Sequence, residues 1–406
     1  MAGAHAAQYA PEQAVSASRD RGEPSWLADA RAEAARAFDV TPMPTPALRP
    51  WKYTNVAGLV IDSFAPDARF APVVEGDAPE GGFAGTIAHA LLDAAQASAV
   101  QQHLGAVVKA TEGKFVAANA ALWTAGAFIH APRGKAFAGP VSVTLEATEG
   151  AIFPRILIVA EAGSEVSVII HSASADAALL ASTVVEVVAQ ADARVRLAFD
   201  VRWGDRTQEF ALVRTRADRG SDVKIDTLAI GGHLVKQTFE SLLEGEGATS
   251  TIRGVALGDG DQHFDFVTYQ DHIAPRTVSS VGIKVALAGY SRAAYYGVTR
   301  VEETAKGADA VQENRNMLLS RHAKADSDPV LEILTNDVTR CGHGATVGPV
   351  DKDALFYLQS RGLDNRAAMK LLVAGFFASV LQDIDDPVLE ADLAAEVERK
   401  LSVADF

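Results

Sequence analysis

From about Ala127 onward the sequence repeats itself at a nearly constant interval. Short Val/Ile-rich runs alternate with Gly, Asp, Ser and Ala turns. Val166, Val195, Val223, Ile252, Val281, Val311 and Val338 mark the runs, each following the last by almost the same step. Between the marks lies a second apolar run, such as Val184–Val188, Phe210–Val213, Phe239–Leu243 or Tyr295–Val301. A fixed period of this size with two strands per unit is the signature of a solenoid, because no single unit can bury its apolar face alone and neighbours must stack. No long helical pattern interrupts the strands, which argues against βαβ crossovers. A mainly β protein built on a parallel β-helix, one coil per repeat, is the simplest solution. A β-sandwich of long hairpins is the alternative, and it needs no such regular period.

A solenoid needs its ends covered, since an open coil leaves backbone groups and apolar surface unpaired. Residues 1–128 supply a tail and a mixed, partly helical cap. The segment 1–24 shows little periodicity and reads as loose; Ser25 can cap a helix from Trp26 toward Phe38. Pro42, Pro44, Pro46 and Pro50 then impose an extended segment leading to Trp51-Lys52-Tyr53-Thr54, whose aromatics can anchor it to a core. Thr86–Gly105 and the stretch around Asn119–Trp123 suggest further short helices, with His89 and His103 as surface residues. The core spans 129–348. After Pro349 the chain turns helical: Asp351 and Asp364 are N-caps, and 365–384 is apolar nearly all round, so it is buried on several sides by neighbouring helices or by a partner. Asp386-Pro387 opens a last helix through Leu389, Leu393, Val397 and Leu401.

Composition narrows the function. The 406-residue chain carries a formal charge of −15, which disfavours a phosphate backbone as partner. No apolar run is long enough to span a membrane and no signal peptide is evident, which points to the cytoplasm. G-x-S-x-G, P-loop, G-x-G-x-x-G and H-E-x-x-H motifs do not occur, so an enzyme working alone is hard to build. Asp259-Gly-Asp261-Gln-His263-Phe-Asp265 imitates a calcium loop, but Phe264 and Gln270 stand where glycine and glutamate are needed. In a strand its carboxylates share a face, the only candidate pair for a β-helix carbohydrate enzyme. His272 beside Asp271 reads as a structural pair.

The chain's single cysteine, Cys341, lies in DVTRCGHGATVG (Asp337–Gly348), with His343 two positions on. In a strand both side chains face one way, so a thiolate and an imidazole can meet one metal ion or one cluster edge. They are half of a usual ligand set, and the alternative is a buried thiol beside a hydrogen-bonded histidine. One cysteine cannot hold an iron–sulfur cluster; further ligands would come from another subunit or a second copy.

The segment Gln312–Gly362, QENRNMLLSRHAKADSDPVLEILTNDVTRCGHGATVGPVDKDALFYLQSRG, closely resembles the SufB/SufD family of iron–sulfur cluster assembly proteins. So do Asp261–Leu287, the Trp51–Thr54 entry and the C-terminal helices. Within the family the SufD branch is the better match. Gln312-Glu313-Asn314 stands where SufB proteins carry an extra cysteine, and His343 where they carry a glutamate; Gly342 replaces a common serine. The resemblance implies a right-handed parallel β-helix with terminal helical regions. It also implies a non-catalytic scaffold that pairs with SufB through the β-helix end, with a homodimer of the isolated chain left open as an alternative. The SufC ATPase would dock on the helices within 351–384. Cys341 and His343 become candidate ligands of transient iron or an iron–sulfur cluster at the junction. A purely structural dimerisation subunit with no cluster ligands is the alternative.

Overall fold

The structure, a computed structural model, describes residues 3–381, 391, 394, 395, 398–400 and 402. The strands of the repeat form two facing sheets, nine- and ten-stranded among the described residues. From Val141 onward every pairing between coils is parallel, each strand bonded to those one coil away. About eight turns stack in this way, so the core is the expected parallel β-helix. Inward side chains of both sheets, from Val141 to Leu287, share one apolar cluster.

The sequence marks locate the coils but not the columns. Val166, Val195 and Val223 stack on one another, and Ser250, Ser279, Ala310 and Cys341 continue that column. The neighbouring column runs Val168, Leu197, Ile225, Ile252, Val281, Gln312, His343. Val311 therefore points outward. The reason is that turn lengths differ between coils, and a slip by a single position moves a side chain to the other face.

The two outer faces differ. The strand Glu165–Ser174 alternates between buried and more exposed positions, whereas Leu179–Ala189 is buried throughout. The N-terminal region lies over the latter, and double-sided burial gives such strands their continuous apolar character. Trp51 stacks on Phe115 at 5.6 Å and lies 5.9 Å from Phe210, as an anchor should. The expectation of a loose N-terminal segment fails. That segment contains the helix Pro11–Asp20, and Tyr9 is buried, stacked on Phe38 with its hydroxyl 3.1 Å from the Phe64 carbonyl. Alternating Ala and polar residues concealed the segment's role until Tyr9 had a partner. The next helix begins at Ser25 with Pro24 at its cap position, so Ser25 is the first helical residue and makes no side-chain cap.

Glu186 ties the layers together. Fully buried, it pairs with Arg155 and accepts the backbone N–H of Gly105, Val107 and Val108 at 2.9–3.0 Å. A second tie joins Lys236 to Asp265 at 2.6 Å, with Thr54 donating to the same carboxylate.

At the other side, Asp351 caps the helix Lys352–Ser360 through the N–H groups of Asp353 and Ala354. The helix Asn365–Leu381 lays Met369, Val373, Phe377 and Val380 on Leu228, Val255, Leu257 and Ala286 of the nine-stranded sheet. Its burial is one-sided: Leu371 is 53 % exposed, as are Phe356 (71 %) and Tyr357 (56 %) of the preceding helix. The expected helix from Asp386-Pro387 falls largely outside the described residues. No helix among the described residues is long and apolar enough to cross a membrane.

Two outcomes are expected. Glu186→Ala leaves Arg155 buried without its carboxylate and should cost about 3–5 kcal/mol in denaturant unfolding, with exchange protection lost at the 105–108 amides. Glu209, fully buried beside Trp203 and Gln237, is pushed by burial from 4.5 up to about 7. Between those values the folded state keeps a proton that the unfolded chain releases. Its contribution is thus complete below 4.5 and lost as pH climbs through about 7. Glu209→Gln should flatten that decline in unfolding curves taken across the window.

Candidate functional site

The β-helix ends differently at its two poles. At the N-terminal pole the strands Val73–Glu75 and Phe83–Thr86 pair antiparallel with the first coil and finish it. At the other pole the strands Lys324–Ile333 and Val338–Pro349 each have one neighbour among the described residues, and Val338–Pro349 contains no buried position. Unpaired strand edges are templates for another chain.

Cys341 and His343 lie on this last strand, in the two inward columns described above. A bulge puts them there. The register between Ala308–Leu318 and the last strand slips after Ala308, which pairs with Val338, so that Asp309 meets Arg340 and Ala310 meets Cys341. The extra residue lets Val338 and Cys341 both pack toward Val301, Ala305 and Ala308. Bulges commonly re-aim side chains beside functional sites. Arg340 donates to Asp309 at 2.8 Å and Thr339 to the Gly307 carbonyl at 3.1 Å, which hold the irregularity in place.

The Cys341 thiol is half-buried, and burial pushes its pKa up, so a metal ion must displace a proton to bind it. His343 is exposed, and no further coil among the described residues covers it. On the outer face the same strand, through Gly342 and Gly344, borders a trough of about 630 Å³ that Arg253, Glu313, Arg315 and Arg340 line. No group of three or more His, Cys, Asp or Glu residues is placed to hold a metal ion among the described residues. The thiol and imidazole fit one edge of an iron site, and only an edge: two donors of the four such a site takes.

The other sequence candidates disperse. His263 lies 3.0 Å from the Thr54 hydroxyl, and Asp265 is buried against Lys236, so neither stays on a solvated face. That ion pair removes Asp265 as a free carboxylate for sugar chemistry. His272 turns inward to Thr277 and Ser279, each at 2.8 Å, rather than to Asp271. His89 is exposed, but His103 is buried, which lowers its pKa. Sequence reasoning missed the floor beneath the pair: Ala310 under Cys341 and Gln312 under His343. Counting back one coil finds them only if the bulge is known.

A parallel β-helix with one finished pole and, among the described residues, one open pole, a thiol and an imidazole at the open pole and a helix on its flank, defines a β-solenoid protein. Residues 143–376 match the family described as SUF system FeS cluster assembly, SufBD core domain, and the chain belongs to this family. It is 27 % identical to the iron–sulfur cluster assembly protein SufD of Bacillus subtilis over 96 % of this chain and 97 % of that protein. It is also similar to SufBD family proteins of Mycobacterium tuberculosis (30 % identity, 54 % of this chain, 57 % of the relative) and Mycobacterium leprae (29 %, 54 % and 58 %). The matched stretch thus spans little more than half the length of these mycobacterial relatives.

Because the thiol starts protonated, uptake of Co2+ by the metal-free chain should strengthen with rising pH. Anaerobic absorption titration checks this: the sulfur-to-metal band should be present in the wild-type chain and lost in Cys341→Ser.

Proposed function

We propose that the chain is a SufD-like, non-catalytic scaffold subunit of a cytoplasmic iron–sulfur cluster assembly complex. In this reading a SufB-like partner adds its strands to the open pole, and a SufC-like ATPase docks on the C-terminal helices between 351 and 384. The observation that carries the reading is the position of Cys341 and His343 in the inward columns of a coil whose edge is unpaired among the described residues. A partner continuing the two sheets would close over both side chains and add the missing ligands. Iron, sulfide or a nascent cluster is then cargo, held at a junction from which water is excluded. His343 binds through a neutral ring nitrogen, so its hold weakens at low pH.

The exposed Phe356, Tyr357 and Leu371 support the docking surface. Large apolar residues left exposed on both helices give a partner apolar surface to cover, and the opposite side of the helix Asn365–Leu381 is already packed on the sheet. ATP-driven movement of the docked subunits would reach the junction through the packed coils.

A second reading makes this a structural dimerisation subunit, favoured by the packing of half-buried Cys341 and Val338 against Val301, Ala305 and Ala308, an apolar contact that needs no metal. Two measurements separate them. Co-expressed with both partners, His343→Ala should leave the complex assembled yet lower iron and sulfide content and visible absorption; unchanged content would leave the structural reading. Leu371→Asp with Phe356→Asp should release the ATPase partner in pull-down while thermal unfolding of the chain stays unchanged.

A further inference from the structure

The interior of the β-helix changes character along its axis. Toward the finished pole the inward positions are apolar, as at Val143, Leu145, Ile156 and Ile158. Toward the open pole they carry Thr268, Tyr295, Gln312 and Ser327. Tyr295 is fully buried, its hydroxyl 3.0 Å from Thr268 Oγ1, and it donates to Gln312 Oε1 at 3.0 Å. Gln312 donates in turn from Nε2 to the Val330 carbonyl at 2.9 Å, so its amide reaches from one sheet to the other. Gly297 makes room for the meeting: a Cβ there would collide with both Gln312 Oε1 and Tyr295 Oη. Ser327 is the ladder neighbour of Tyr295, on the strand between Gln312 and His343 in the chain's climb; the residue is half-buried, and its shielded Oγ has no hydrogen-bond partner among the described residues.

Polar groups inside a lumen that Val, Ile and Leu fill elsewhere cost stability unless each is bonded. Val281 occupies the place beneath Gln312 in the same column, so an apolar filling was sterically available. Packing and internal bonding account for Tyr295 and Gln312. They do not account for Ser327, a half-buried residue whose shielded hydroxyl oxygen has nothing to bond among the described residues.

We propose that Thr268, Tyr295, Gln312 and Ser327 line a neutral polar chamber below and beside Cys341 and His343, in which Ser327 donates a hydrogen bond to a sulfide or water ligand of a metal ion held at the mouth. Gln312 is the positioning residue: fixed at both ends of its amide, it sets the floor one coil below His343. The proposal rests on the reading of Cys341 and His343 as ligands. Hydrogen bonds to the ligands of a metal strengthen its binding and, on sulfur, tune its potential.

The test is anaerobic titration of the full chain with Co2+, read by its visible bands, alongside thermal unfolding. Ser327→Ala should weaken Co2+ binding roughly 10-fold without lowering the unfolding midpoint, and Ser327→Thr should restore it. Tyr295→Phe should weaken binding in the same direction by freeing Gln312; if that variant fails to fold, the Ser327 pair decides alone. Wild-type affinity in Ser327→Ala, with binding lost in Cys341→Ala and His343→Ala, overturns the chamber and leaves the ligand reading standing. Binding that is absent from the wild-type chain, or indifferent to Cys341 and His343, overturns the ligand reading and the chamber with it.

Discussion

The parallel backbone ladder is the constraint on which the rest of this molecule depends. Each coil satisfies its N–H and C=O groups, and buries its inward side chains, only through the coils above and below it. That requirement is met along the stack and fails at its ends. Antiparallel strands meet it at one pole. At the other the last two strands keep a bare edge among the described residues, and whatever side chains fall in the inward columns there are exposed by geometry rather than by their chemistry. Cys341 and His343 hold those positions.

The outer faces follow a related logic. A sheet cannot leave broad apolar surface to solvent, so each face takes a layer of its own. The N-terminal region covers the ten-stranded sheet, and buried charges register it against particular coils: Glu186 with Arg155 across one pair of successive coils, Lys236 with Asp265 across another. Such pairs add little net stability, because desolvation offsets the attraction. Their effect here is to specify where the layer sits. The C-terminal helix covers part of the nine-stranded sheet with a single stripe, leaving Leu371 on its other side exposed.

Much of this was legible in residue order. Equal coils demand equal chain lengths, so the near-constant step from Val166 to Val338 announced the β-helix. The i, i+2 spacing of Cys341 and His343 put both on one face of a strand. The proline-rich segment and the Asp351 and Asp364 caps are local features, and local features read directly. The N-terminal helix Pro11–Asp20 did not, because what orders that segment is Tyr9 meeting Phe38 and the Phe64 carbonyl, contacts distant in sequence.

The sequence by itself determined the repeating architecture, the single thiol with its neighbouring imidazole, and the family. Only the tertiary structure decided which residues share a column. Along the column through Val168 the step between coils is shortest from Ile225 to Ile252 and longest from Val281 to Gln312 and on to His343, since each turn between strands takes its own length. Periodicity is blind to so small a drift, yet a shift by a single position exchanges inside for outside. Gln312, Tyr295 and Ser327 therefore became neighbours of the open pole only when the turns and the bulge before Cys341 were placed in space.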